Sequence, residues 1–192
     1  MRLILASASP RRAELLASAG YTFEVMAATV DEIPSPGESA ADYTLRVAGD
    51  KARAVTFQLA FASNDKDAVV LAADTEVVID GRILGKPLDA PHAAGMLRLL
   101  SGRVHEVLTA IVLVGAGTSA SDVVRTSVSV RPLTPDEIDW YVDSGEPMGK
   151  AGAYAIQGLG ARFIDRIDGS WANVVGLPIH RVAELLKPAS SR

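Results

Sequence analysis

Short, unbroken apolar runs alternate along the chain with longer stretches whose apolar positions recur at helical spacing. Leu3 to Ala6 is a wholly apolar run, the pattern of a strand buried on both faces. Ser9-Pro10 then predicts a helix, with Ser as N-cap, Pro at the first helical position, Leu15 and Leu16 as the apolar face and Gly20 as the stop. Tyr21 to Met26 reads as a second strand. Asp31 to Ser39, with Pro34, Pro36 and Gly37, reads as a loop. A long helix is expected from Ala40 to Ala62, weakened in its middle by Gly49, and then a polar turn from Ser63 to Lys66.

Ala68 to Ala73 is the strongest strand signal, and the polar pair Asp74-Thr75 is expected to end it. Glu76 to Ile79 and Arg82 to Leu84 flank Asp80-Gly81, a hairpin signal. Pro91 to Leu100 is a helix with Met96, Leu97, Leu99 and Leu100 facing the core. Val104 to Val114 is a long strand, Gly115 to Ser121 a small-residue turn, and Val123 to Val130 the returning partner. Thr134-Pro135-Asp136-Glu137 is a capping box that opens a helix to Ser144. Gly145 to Gly160 is glycine-rich and irregular, Phe163 to Ile167 a strand, Asn173 to Pro178 a turn, and Pro178 to Leu186 the last helix. Pro188 to Arg192 reads as a frayed end. Strands alternating with helices, with a hairpin inserted, imply an α/β fold on a mixed sheet. With no internal repeat or linker, residues 1–192 are expected to form a single domain.

Composition narrows the chemistry. Apolar residues make up 48% of the chain, ample for a core, and the net charge of -4 argues against general attraction to nucleic acid or an anionic membrane. The absence of cysteine excludes disulfides, thiolate nucleophiles and zinc–thiolate sites. No apolar run approaches the ~18 residues of a membrane span, and the N-terminal run is too short for a signal peptide, so the cytoplasm is the expected location.

Several constellations carry chemistry. Ser7, Ser9, Arg11 and Arg12 sit where a strand turns into a helix, and two arginines in a first turn oppose the helix dipole unless an anion offsets them. A solvated basic turn is the plainer alternative. Asp74 stands at a strand end, where open α/β sheets place ligands, and could serve as general base or metal ligand. The aspartyl-phosphatase pattern needs a second Asp two residues on, and Glu76 stands there instead. Lys51 and Lys86, the latter in Gly85-Lys86-Pro87, are point charges suited to phosphate, although a surface role fits either alone. Lys150 to Gly158 combines small residues, which permit close approach, with Gln157, whose amide can read a base edge. Tyr154 could pack against a ring or fill the core. His105, within a strand, is expected to be structural, and Asn173 a buried hydrogen-bonding anchor.

In order along nearly the whole chain, Leu3 to Arg12, Ala73-Asp74-Thr75, Gly85-Lys86-Pro87, Ser101-Gly102 with His105, Lys150 to Gly158 and Asn173 to Pro178 resemble the motifs of the Maf family, named for its link to septum formation. The resemblance implies an elongated α/β fold of the inosine-triphosphate pyrophosphatase type, with two lobes around a central cleft. It implies hydrolysis of a nucleoside triphosphate between the α- and β-phosphates with a divalent cation, Mg2+ or Mn2+. Carried over by motif, Asp74 is the proton acceptor, while Arg11, Thr75 and Gln157 discriminate the base. Ser7, Arg12, Lys51 and Lys86 bind phosphate, and Glu32 joins Asp74 in holding metal. The Tyr154 and Ile156-Gln157-Gly158 pattern resembles the dTTP/UTP branch rather than the branch acting on 7-methylguanosine triphosphate. Gly149 and Ala110 depart from the Asp and Gly that relatives often carry.

With no serine–histidine arrangement in view, direct attack by water is the simplest route, with basic side chains meeting charge as it moves onto pyrophosphate. The alternatives are a nucleotide-binding regulator of cell division without turnover, and a pyrophosphatase for a modified purine triphosphate. The expected partner is the nucleotide, with neither nucleic acid nor membrane, and a homodimer is left open.

Overall fold

A computed structural model describes residues 2–62 and 67–187. The turn expected at 63–66 and the frayed end expected at 188–192 lie outside the described residues. The strands are β1 (Arg2–Ala6), β2 (Glu24–Val25), β3 (Ala68–Ile79), β4 (Arg82–Ile83), β5 (Val104–Gly115), β6 (Thr118–Val130) and β7 (Ile164–Asp168). The helices are α1 (Pro10–Ser18), α2 (Ala40–Ala62), α3 (Ala90–Leu100), α4 (Pro135–Asp143), α5 (Trp171–Val175) and α6 (Ile179–Leu185). The strands form one mixed sheet in the order β2-β1-β3-β5-β6-β7, with β4 on β3. β1 pairs in parallel with β2 and β3, whereas β3–β4 and β6–β7 are antiparallel. The architecture is the α/β class expected from the pattern. Among the described residues no helix is long and apolar enough to cross a membrane.

The chain divides into two compact units. The first comprises Met1–Asp74, Thr109–Val124 and Gly176–Arg192; the second comprises Thr75–Leu108 and Arg125–Val175. In the first, period-two alternation sorts each strand's side chains onto two faces. Ile4, Ala6, Ala68, Val70, Ala72, Ala110 and Val112 pack with Ala48, Ala52, Val55 and Leu59 of α2, which recur at helical spacing. Leu3, Leu5, Val69, Leu71, Ala73, Ile111 and Leu113 pack with Leu16 of α1, with Leu177 just before α6 and with Val182 of α6. Each fully buried Leu, Ile or Val contributes about 1.5–3 kcal/mol, so these two faces hold the unit together.

Several elements differ from expectation. The second strand shrinks to Glu24–Val25, an exposed edge strand beside β1. Ser9 makes no side-chain capping bond; Ser7 Oγ instead accepts the Ser9 N–H at 3.2 Å. Asp74-Thr75 does not end the strand, which continues as β3 to Ile79 with Val77, Val78 and Ile79 buried. β6 begins at Thr118 because Ala116 and Gly117, both at positive φ, close a two-residue turn, as Asp80 and Gly81 do between β3 and β4. A short helix, α5, replaces the turn expected at Asn173. The capping box is present, with Thr134 Oγ1 accepting the Glu137 N–H and Glu137 accepting the Thr134 N–H.

The second unit is tied together by buried polar pairs. Asn173, fully buried, donates to the Val107 carbonyl and to Thr126 Oγ1, each at 3.0 Å. His105 Nε2 lies 2.8 Å from the Tyr154 hydroxyl, and both residues are buried. Burial lowers the His105 pKa to about 4. Gly152 donates to the Gly85 carbonyl at 2.8 Å, its backbone left-handed at φ 68°.

Two tests follow from this packing. A Cβ on Gly152 would sit 2.8–3.0 Å from the Val77 side chain, whereas one on Gly149, at φ 72°, meets nothing within 4 Å. Gly149→Ala is expected to cost about 1 kcal/mol for the left-handed backbone alone, and Gly152→Ala about 2–4 kcal/mol. Urea midpoints check this, and equal losses would show that the Val77 contact is no constraint. For His105, the unfolded chain binds the proton more readily than the folded chain. Stability is therefore complete above an ordinary value of 6.5 and declines as pH falls toward about 4. The slope reaches about 1.4 kcal/mol per pH unit. Glu38 and Glu137, held down to about 2 by Arg46 and Arg131, lose their contributions only below 4.5. Melting between pH 6.5 and 4.5 should thus be steeper in the native protein than in His105→Gln; identical slopes would contradict the buried neutral imidazole.

Candidate active site

The alternation that builds the core also aims Asp74. It shares its face of β3 with Ala68, Val70 and Ala72, the face covered by α2. On α2, Lys51 follows Val47 and precedes Val55 by one helical turn each, which puts it at the edge of the same buried stripe. Lys51 Nζ lies 2.7 Å from Asp74 Oδ1 and 2.6 Å from Glu32 Oε1. The Asp74 and Lys51 side chains are 9% and 12% exposed, so the pair is largely out of water. Asp74 Oδ2 is buried and has no hydrogen-bond partner among the described residues.

Glu32 reaches this cluster from a loop without regular structure, and α2 holds that loop. The Tyr43 hydroxyl donates to the Glu32 carbonyl at 2.7 Å. Arg46 donates to the Ile33 carbonyl at 3.0 Å and to the Glu38 carboxylate at 2.7 and 2.8 Å. Tyr43 was not visible as a site residue from sequence; its signal is that Tyr43, Val47 and Lys51 lie four apart on one helix face.

The basic turn is organised by Ser7. Ala6 pairs with Ala72 across β1 and β3, so Ser7 and Asp74 follow at the same end of neighbouring parallel strands. Ser7 Oγ accepts from Arg12 Nη1 at 3.1 Å, and Arg12 Nε donates to the Gly176 carbonyl at 2.8 Å. Arg12 is only 9% exposed, so its guanidinium is fixed rather than solvated. Its neighbour Arg11 is half-buried and makes no hydrogen bond or ion pair among the described residues.

In the second unit, Thr75 is half-buried on β3 immediately after Asp74, and Lys86 is exposed in the loop after β4. The Gly158 N–H donates to the Ala155 carbonyl at 3.2 Å, so Ile156 and Gln157 are the central residues of a tight turn. Ile156 is buried, whereas Gln157 is exposed and its amide bonds to nothing among the described residues. Tyr154 points into the core toward His105. Of the residues singled out from sequence, the structure thus joins Ser7 with Arg12, and Lys51 with Asp74 and Glu32. It leaves Arg11 and Gln157 outside any such contact. Lys51, expected on phosphate, is held by two carboxylates.

Glu146 and Tyr141 were missed. Glu146 Oε1 accepts from the Tyr141 hydroxyl at 2.8 Å and the Gly160 N–H at 3.0 Å, and Oε2 accepts from the Leu159 N–H at 2.9 Å. Burial raises the Glu146 pKa, but the Leu159 and Gly160 N–H donors, Tyr141 and the nearby Lys150 charge outweigh it and leave the carboxyl below its ordinary value. In sequence, Glu146 lies in the glycine-rich, irregular stretch Gly145 to Gly160 with no signal of its own, because its backbone partners lie 13 and 14 residues on.

Glu32 and Asp74 are the residues that could hold a hard cation, since both present carboxylate oxygens within reach of one ammonium. Among the described residues no cluster of three or more His, Cys, Asp or Glu could hold a metal. Two carboxylates suit an ion such as Mg2+ that takes its other ligands from water and phosphate.

Comparison with known proteins gives the same family that the motifs resemble. The family model described as Maf-like protein matches residues 2–189. A relative from Anaeromyxobacter sp. (strain Fw109-5), named dTTP/UTP pyrophosphatase, is 51% identical over 98% of this chain and 89% of its own. One of the same name from Escherichia coli O157:H7 is 50% identical over 96% and 91%. Among solved structures, that of the Staphylococcus aureus Ham1 protein aligns with a TM-score of 0.42 and 14% identity, over 68% of this chain and 71% of that one. The chain belongs to the Maf family.

Proposed function

We propose that this protein is a cytoplasmic nucleoside triphosphate pyrophosphatase that converts dTTP and UTP into the monophosphate and pyrophosphate. The observation that carries this reading is the buried Asp74 carboxylate, fixed by Lys51 through one oxygen while the other has no hydrogen-bond partner among the described residues. Relatives about half identical over almost their full length, named dTTP/UTP pyrophosphatase, support the substrate class.

In this mechanism Asp74 Oδ2 orients a water molecule and takes its proton as the water oxygen bonds to the α-phosphorus. The bond from that phosphorus to the bridging oxygen breaks, and its electron pair leaves with pyrophosphate. Arg12, preset by Ser7 and Gly176, presents a fixed guanidinium to phosphate oxygens. Lys51 holds the carboxylates in place and, with Lys86, meets negative charge on the triphosphate. A divalent cation, Mg2+ or Mn2+, held by Glu32 and Asp74 would supply further charge neutralisation. Arg11, Thr75 and Gln157 select the base, and the unengaged Gln157 amide has both its donor and its acceptor available to a pyrimidine edge.

Asp74→Asn is expected to lower kcat by on the order of 100-fold or more while the protein keeps its fold, seen by circular dichroism. A variant with near-native kcat would remove Asp74 from the proton transfer. Base choice is read from kcat/KM for dTTP, UTP, CTP, ATP, GTP and 7-methyl-GTP, with pyrophosphate as the detected product. dTTP and UTP should lead, and Gln157→Ala should narrow the preference roughly tenfold, because a mismatched base leaves polar groups unpaired. A native preference for purines would defeat the substrate assignment, and an unaltered preference in Gln157→Ala would take the role from Gln157.

A further inference from the structure

The turn that bears Gln157 is clamped from behind by two side chains of the second unit. The Tyr141 hydroxyl accepts the Ala155 N–H at 3.0 Å and donates to Glu146. Glu146 accepts the N–H groups of Leu159 and Gly160. The donors on both sides of Ile156-Gln157 thus end on one connected pair of side chains, α4 supplying Tyr141 and the following loop Glu146. Further back, Lys150 Nζ donates to the Glu146 carbonyl. Tyr154 is fixed separately by His105.

The glycines of this segment fit the clamp. A Cβ on Gly158 would lie 2.3–2.6 Å from the Glu146 carboxylate. One on Gly160 would lie 2.8 Å from the Tyr141 hydroxyl and from the Ala155 carbonyl oxygen. Small residues here let the backbone close onto Glu146, a use different from admitting a ligand.

From this geometry we infer that Glu146 is a positioning residue for base selection, holding the 155–160 turn so that the Gln157 amide meets the base at hydrogen-bonding angle and distance. The inference rests on the proposed role of Gln157. Hydrogen bonds weaken steeply when misaligned, so a loosened turn loses discrimination between bases. The Glu146 carboxylate accepts from Tyr141, Leu159 and Gly160, none of them assigned to phosphate or proton transfer. Its loss should therefore act on binding of the preferred base and spare the chemical step.

The test is steady-state kinetics of the full chain with UTP, dTTP, ATP and GTP for the native protein, Glu146→Gln and Tyr141→Phe. Glu146→Gln keeps the shape but sets an amide NH2 against backbone N–H donors. It should raise KM for UTP and dTTP about tenfold, leave KM for GTP and ATP unchanged, and keep kcat within about twofold. Tyr141→Phe removes the acceptor of the Ala155 N–H and one donor to Glu146 but keeps both backbone bonds to Glu146, so it should shift the pyrimidine-to-purine ratio the same way by less. It decides the matter alone if Glu146→Gln does not fold. A native pyrimidine preference that survives intact in the folded variants, or a loss of kcat equal for all four nucleotides, overturns the proposal and leaves the enzyme assignment standing. A native protein without pyrimidine preference overturns the base-reading role of Gln157 and this proposal together.

Discussion

A carboxylate inside a strand that is otherwise apolar for most of its length is the constraint around which the first unit is arranged. Asp74 follows six apolar residues of β3, all buried, and is itself nearly buried. Removing one partner from such an ion pair typically costs about 3–5 kcal/mol, so the ammonium of Lys51 is a structural requirement as well as a chemical one. Meeting it sets the face of α2 that lies on the sheet, and α2 in turn tethers the Glu32 loop through Tyr43 and Arg46. Ser7 and Arg12 follow from the parallel pairing of β1 with β3.

The same constraint explains which parts of the molecule were legible in sequence. Elements fixed by local rules read correctly: the capping box at Thr134, the hairpin at Asp80-Gly81, and the long helix Ala40–Ala62. The end of β3 did not, because a charged residue stops a strand only when nothing meets the charge, and Lys51 stands 23 residues away in sequence. The turn expected over Gly115 to Ser121 tightens to Ala116-Gly117, because Ala at positive φ carries no sequence signal of its own.

The site was legible in kind and less so in arrangement. Asp74, Lys51 and Glu32 could be named by motif, but their convergence on a single ammonium depends on strand alternation and helix stripe together. Glu146 shows the opposite case. Nothing in Gly145-Glu146-Pro147 distinguishes it from a solvated loop acid, yet two backbone N–H groups and a hydroxyl end on it. Long-range acceptance of backbone donors has no periodicity, and so pattern reading passes over it.

The central claim is that water attacks the α-phosphorus of a nucleoside triphosphate. Turnover of UTP in 18O-labelled water, with mass analysis of both products, tests it most directly. One label in UMP and none in pyrophosphate is the expected result. Label in pyrophosphate, or release of UDP with labelled inorganic phosphate, would contradict it.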